Sequence, residues 1–332
     1  MHELQFLILT VIVLALLFDF INGFHDTANA IATSVSTRAI KPAHAIIMAA
    51  ALNFLGAIYS TGVAKTIGGD IVASAEMVDE HIIIAALMGS IVWNLFTWYV
   101  AMPSSSSHAL VGGIIGAVLV STGSTGLNFI GIGKIVLSLI ASPLLAIFSG
   151  FIVMTVLFLL FGRFAPSALN GRFKKMQILS AATMAFSHGS NDAQKSMGII
   201  TLALLSGGYL SSFEVPDYVK FLCAAAMACG TALGGWRIIR TIGGKIFKLE
   251  PISGFAADLN SSIVIFSATL LHLPVSTTHV VSGSIMGVGT AKRVNAVHWG
   301  VAQQMVLAWV MTIPCTAVIG AIIYKLICLI FA

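Results

Sequence analysis

"MPSSSSHALVGGIIG" (Met102–Gly116) and "LPVSTTHVVSGSIMG" (Leu273–Gly287) are one pattern written twice: a proline, a run of hydroxyl residues, a histidine, then an apolar arm with glycines at matching places. Working outward from this pair, "FINGFHDTANAIA" (Phe20–Ala32) lines up with "FSHGSNDAQKSMG" (Phe186–Gly198), matching Phe20 with Phe186, Gly23 with Gly189 and Asp26 with Asp192. Between them, "KTIGGDI" from Lys65 resembles "RTIGGKI" from Arg240. The three pairs keep their order at an offset of about 170 residues, the mark of an internal duplication. The halves run over residues 1–161 and 178–332, with 162–177 as a basic loop between them.

Composition sets the solvent. Of the 332 residues, 58% are hydrophobic and 9% charged, with a mean hydropathy of +1.00, whereas soluble domains are about one quarter charged. Apolar stretches long enough to cross a bilayer recur along the chain, which in lipid demands helices. The expected fold is therefore an all-α polytopic membrane protein of about 10–12 transmembrane or hairpin segments. Leu4 to Phe18 lacks a basic leader and a small-residue cleavage site and reads as a retained first helix. Cys223, Cys229, Cys315 and Cys328 have no paired spacing and suit packing, not a disulfide frame or a zinc site. The net charge of +5 falls in short loops, where it sets orientation and does not point to nucleic acid.

Loop 162–177 carries Arg163, Arg172, Lys174 and Lys175 without an acid, and loop 237–250 carries Arg237, Arg240, Lys245 and Lys248 against Glu250. Both read as cytoplasmic. Loops 65–80 and 206–218 are poor in basic residues and read as external. Threading the helices through these constraints puts both termini outside, so each half crosses an odd number of times and the halves are inverted, an arrangement common in secondary transporters. Segments 82–121 and 254–290 each hold two apolar arms joined at the Pro-hydroxyl-His tip. A tip that polar suits a re-entrant hairpin lining a cavity at membrane depth better than two full crossings.

Asp26 and Asp192 lie in apolar surroundings, where a carboxylate costs several kcal/mol unless paired or bound to a cation, so they are candidate cation ligands. Amide or hydroxyl groups flank each, Thr27 and Asn29 in the first half and Asn191 and Gln194 in the second. Gly23 and Gly189 could open the helices there and free carbonyls, completing an oxygen cage for a hard cation such as sodium. Ser104, Ser105, Ser106 and Ser107, and Ser276, Thr277 and Thr278, follow prolines and precede helical arms, so they would crown two helix N-termini and offer donors to an anion. Ordinary capping needs one such residue per helix and does not explain the runs. Lys195, opposite Asn29 in the repeat, either balances Asp192 or attracts an anion. His108 and His279 match across the halves and would hydrogen-bond the tips. Asp19 and Asp258 are intramembrane by position without counterparts.

"GFHDTANAIATSVSTRAIKP" and "SHGSNDAQKSMGII", with the tips "PSSSSH" and "PVSTTH", resemble the duplicated signature and hairpin tips of the inorganic phosphate transporter (PiT) family, over almost the whole chain. The resemblance implies a non-enzymatic secondary transporter in the cell membrane that imports phosphate with sodium or protons, built from inverted repeats, without a cofactor and commonly dimeric. It assigns Asp26, Asn29, Asn191 and Asp192 to the coupling ions, and Thr27, Gln194 and the tip hydroxyls to phosphate; Lys195 joins the phosphate candidates by its charge alone. Where family members carry a long hydrophilic insert, this chain has only 162–177, as in the compact prokaryotic type. A sulfate transporter of the same fold is the nearest rival. An intramembrane hydrolase would want one asymmetric constellation and not duplicated polar groups, and a channel would want weak multi-site binding.

Overall fold

The computed structural model describes residues 2–331 apart from Ala165; the side-chain environments of His2, Glu3, Ala75, Pro166, Ser167, Ala168, Trp236, Arg237 and Phe331 lie outside the description. Among the described residues the architecture is all-helical. The helices are α1 (His2–Ser36), α2 (Pro42–Ala57), α3 (Gly62–Gly69), α4 (Glu80–Tyr99), α5 (Ser106–Ser121), α6 (Phe129–Phe161), α7 (Pro166–Ser206), α8 (Asp217–Leu233), α9 (Trp236–Gly244), α10 (Pro251–Leu270), α11 (Thr277–Lys292) and α12 (Trp299–Phe331). Leu4–Ser36, Glu80–Tyr99, Phe129–Phe161 and Trp299–Ile330 are each long and apolar enough to span a bilayer. The outer faces of α6 and α12 are rich in exposed leucine, isoleucine, valine and phenylalanine, such as Leu137, Ile140, Leu159, Leu307, Val310 and Leu329, which only lipid solvates without penalty. The molecule is a membrane protein.

The second six helices repeat the first six in order and character. α2 and α3 meet at 72°, and α8 and α9 at 76°. The second break falls at Gly234, whose φ of +74° few other residues adopt. α6 and α12 have 33 residues each and carry Pro143 and Pro314 inside. α4 turns into the first tip through Ala101 (φ 55°) and α10 into the second through His272 (φ 58°), so both C-termini close with a left-handed residue.

Helices of one half lean on those of the other through glycines. α1 crosses α8 where Gly23 meets Gly230, and α7 crosses α2 where Gly189 faces Asn53 and Gly56 faces Phe186; a Cβ at any of these four glycines would collide with a backbone carbonyl opposite. α5 packs on α12 through Gly112 and Gly116, and α11 on α6 through Gly283 and Gly287. Small residues let backbones approach where lipid provides no hydrophobic drive between helices.

Three expectations change here. Gly23 and Gly189 do not open their helices, since α1 and α7 run unbroken through them. The missing side chains serve the crossings with α8 and α2 instead. The stretch 162–177 is helical from Pro166 onward, because proline suits the first helical position and Leu169–Gln177 supplies helix formers with an apolar stripe ending on buried Phe173. Ala165 itself lies outside the described residues. Likewise 237–250 is not all loop: residues up to Gly244 belong to α9, whose Ile238, Ile239 and Ile242 are buried; the side chain of Arg237 lies outside the described residues.

Candidate functional site

α5 and α11 begin at the two hydroxyl runs, and their tips meet in the interior. Ser105 and Ser276 are the N-caps, accepting from the backbone N–H of His108 at 3.2 Å and of His279 at 3.3 Å. That satisfies one orphan donor per helix and leaves the other first-turn N–H groups without intrahelical acceptors. The Ser107 hydroxyl donates across to the Val275 carbonyl at 2.9 Å, and the His108 and His279 rings lie with centroids 4.5 Å apart. All seven tip residues from Ser104 to Ser107 and from Ser276 to Thr278 are buried.

Beneath the tips, α1 and α7 bring the two aspartates together. Ligand atoms of Asp26, Asp192 and His188 lie within 4.8 Å of one another. The Ser106 hydroxyl donates to Asp26 Oδ2 at 3.3 Å, and the Thr277 hydroxyl, its equivalent in the other half, donates to Asp192 Oδ2 at 3.2 Å. Thr278 donates to Asp26 Oδ1 at 3.2 Å, crossing the halves. Asn29 Nδ2 donates to Thr278 at 2.9 Å. The ring of His25 stands between Asp26 (Nδ1 to Oδ1, 2.7 Å) and Thr97 (Nε2 to Oγ1, 3.3 Å). Asn191, the counterpart of His25, donates to Thr269 at 3.0 Å and takes the Val275 N–H at 3.3 Å. Lys195 Nζ sits 2.8 Å from Asp192 Oδ1, with both side chains buried. Two carboxylates this close carry one charge more than Lys195 neutralises, so a cation or proton must carry the balance.

A family profile described as "Phosphate transporter family" matches this chain over residues 22–170 and again over 162–320. The chain belongs to the phosphate transporter family. It is similar to a "Probable low-affinity inorganic phosphate transporter" of Bacillus subtilis (51% identical, covering all of both chains) and to one so named in Rhizobium meliloti (46% identical, covering 96% of each). Among solved structures it is similar to "The sodium-dependent phosphate transporter", at a TM-score of 0.90 and 26% identity over 98% of this chain and 99% of the other.

For this family member, the structure gathers Asp26, Asp192, Asn29, Ser106, Thr277, Thr278 and Lys195 into one cluster, with Asn191 beside it holding the Val275 N–H of the second tip. Other candidates stand apart from it. Ser104 donates to Thr97 at 2.7 Å. Thr27 gives its hydrogen to the Gly23 carbonyl within α1, beside the α8 crossing. Gln194 Oε1 accepts from Val63 N at 2.7 Å and Ala64 N at 3.2 Å, so it caps α3, a task the spacing along α7 could not reveal. Four contributors are not evident from the sequence or carry little weight there: His188, Asn22, Thr97 and Thr269. His188 Nε2 lies 3.6 Å from Asp192, and Asn22 Nδ2 donates to it at 3.4 Å. Asn22 and His188 face each other in the aligned signatures, which is the one signal the sequence offers for them. Thr97 and Thr269 fall out of register by one residue when the tips are aligned on their prolines, which hides their equivalence.

The donor set fits a hard cation. Besides the two carboxylates, Asn22 Oδ1 and Asn29 Oδ1 are buried acceptors without a hydrogen-bond donor among the described residues. Buried amide oxygens need a partner, and a sodium ion is one such partner.

Proposed function

We propose that this chain imports inorganic phosphate across the cell membrane in symport with a cation, sodium before proton, with both termini outside, the two halves inverted, the hairpins re-entrant and the molecule a homodimer. The observation that carries the reading is the paired, buried Asp26 and Asp192 roofed by Ser106, Thr277 and Thr278 from tips that meet at the α5 and α11 N-termini. The solved relative is named for its sodium dependence, which supports the choice of ion, and the names of the curated relatives support the anion. Two successive profile matches and the equivalent glycine crossings support the repeat.

The geometry supplies a coupling device. A hydroxyl has one hydrogen and two lone pairs. With no cation at the aspartates, Ser106, Thr277 and Thr278 spend their hydrogens on carboxylate oxygens. A cation bound at Asp26 takes lone pairs from the carboxylate and the hydroxyls alike, and the O–H bonds swing free to donate to phosphate oxygens. First-turn N–H groups of α5 and α11 add further donors and a positive dipole end. Each ligand thereby strengthens the other's site, reciprocally. Asn29 and Asn191 hold the tips onto α1 and α7, so that cation binding and tip position move together.

The test is uptake of labelled phosphate into liposomes holding the purified protein, under an inward sodium gradient or an inward proton gradient imposed alone, with unlabelled sulfate as competitor. Sodium-driven accumulation that resists sulfate is expected. Accumulation blocked by equimolar sulfate would assign the site to another anion.

A further inference from the structure

The two aspartates are equivalent in the repeat, yet the charge placed beside them differs. Asp26 has Asn29 one helical turn on; Asp192 has Lys195 there. Asn29 turns its amide nitrogen to the tip hydroxyls and keeps a bare, buried carbonyl oxygen. Lys195 instead puts its ammonium 2.8 Å from Asp192, with relative side-chain exposure of 1% for each. Two other neighbours donate to Asp192, the Thr277 hydroxyl at 3.2 Å and Asn22 Nδ2 at 3.4 Å, and His188, whose Nδ1 donates to Asn53 Oδ1, stands with Nε2 3.6 Å away. The ammonium gives Asp192 the positive charge that Asp26 would take from a bound cation. Asp26 has no basic side chain within ion-pair distance, among the described residues, except the ring of His25. Asp19, buried about two turns before Asp26 along α1, makes no ion pair with Lys195 among the described residues.

We propose that Lys195 is a tethered cation that occupies, permanently, the place of one transported cation, so that each phosphate moves with one cation fewer than two equivalent aspartate sites would require. This rests on the proposed symport. The ammonium satisfies Asp192 in every state of the cycle, and only the Asp26 side exchanges its cation with the two bulk phases. A buried lysine without its acid is strongly disfavoured, which keeps the pair intact as the tips move.

The experiment measures cations per phosphate from the steady-state phosphate accumulation ratio against graded gradients of whichever cation drives the wild type. Lys195→Asn restores the symmetric arrangement and should raise the ratio by one cation. Lys195→Arg keeps the charge and should keep the wild-type ratio, whatever its rate. The double variant D192N/K195N removes site and tether together and should also keep it. Where a variant folds but does not transport, counting cation bound to the purified protein, by equilibrium dialysis of radioactive sodium or by pH-stat for protons, reads the same differences. An unchanged count in Lys195→Asn, or one cation fewer in the double variant, overturns the proposal, since either means that Asp192 takes a transported cation despite Lys195. Absence of any cation-driven uptake by the wild type would instead defeat the proposed function and is seen before the variants are compared.

Discussion

Asp26 and Asp192 share a site but not a stability role. Replacing Asp192 with asparagine leaves Lys195 as an unpaired charge in a dry interior, which costs roughly 3–5 kcal/mol. Replacing Asp26 with asparagine weakens its hydrogen bonds from Ser106, Thr278 and the His25 ring but leaves no lysine unpaired. Asp26→Asn should therefore fold with nearly wild-type thermal stability in detergent and lose cation-driven uptake, while Asp192→Asn should lose both. Equal melting temperatures for the two would contradict the pairing. The tip hydroxyls make a milder prediction: Ser106→Ala and Thr277→Val each remove a hydroxyl that the proposed coupling turns from a carboxylate to phosphate, a hydrogen bond to a charged group worth about 1.5–3 kcal/mol, so the phosphate concentration for half-maximal uptake should rise by roughly tenfold or more. Gln194 behaves otherwise. Its amide oxygen caps α3, and Gln194→Leu should lower stability by about 1–2 kcal/mol while leaving that half-maximal concentration within about twofold of wild type, as for any lost cap. A tenfold shift would return Gln194 to the phosphate site.

At the scale of helices, what holds the halves together is backbone meeting backbone. Gly116 faces the carbonyl of Ala317, and Gly287 faces that of Ile147, at equivalent places in the two tip helices. Neither carbonyl can yield without bending α12 or α6, so Gly116→Val and Gly287→Val should each cost about 3 kcal/mol and appear as lost monodisperse protein on mild heating. Gly133→Val, which meets nothing, is the control. These contacts also explain what the sequence reveals. Polar residues in an apolar chain are conspicuous, so Asp26, Asp192 and both tips can be picked out and paired by the repeat. Glycines at crossings look the same as glycines that break helices, so Gly23 and Gly189 are legible as important but not as packing sites. Which hydroxyl faces the aspartates depends on where α5 and α11 start: Ser105 and Ser276 turn into caps, and only the next one or two residues reach Asp26 and Asp192. No spacing rule distinguishes four consecutive serines. His188 joins the cluster because α7 and α2 cross at Gly189, which turns its Nδ1 to Asn53 at 3.0 Å and its Nε2 toward Asp192.

Across the whole molecule, two intertwined halves each lend a signature helix and a tip to one shared site. If the proposed orientation holds, an impermeant thiol reagent applied to intact cells should label cysteines introduced at Gln5 and Tyr209 and spare one introduced at Lys174, once Cys223, Cys229, Cys315 and Cys328 are replaced by alanine. Labelling of Gln5 and Lys174 from the same side would break the inverted arrangement, since α1 to α6 must cross an odd number of times between them. Everything proposed for transport depends on cations at the aspartate pair driving phosphate through the tips. Phosphate accumulation in liposomes under an imposed inward sodium gradient, wild type beside Asp26→Asn with both proteins shown to be folded and inserted, addresses that dependence without intermediaries. Concentrative uptake by the wild type and none by Asp26→Asn is expected; equal sodium-driven accumulation by both would contradict the coupling role of the pair.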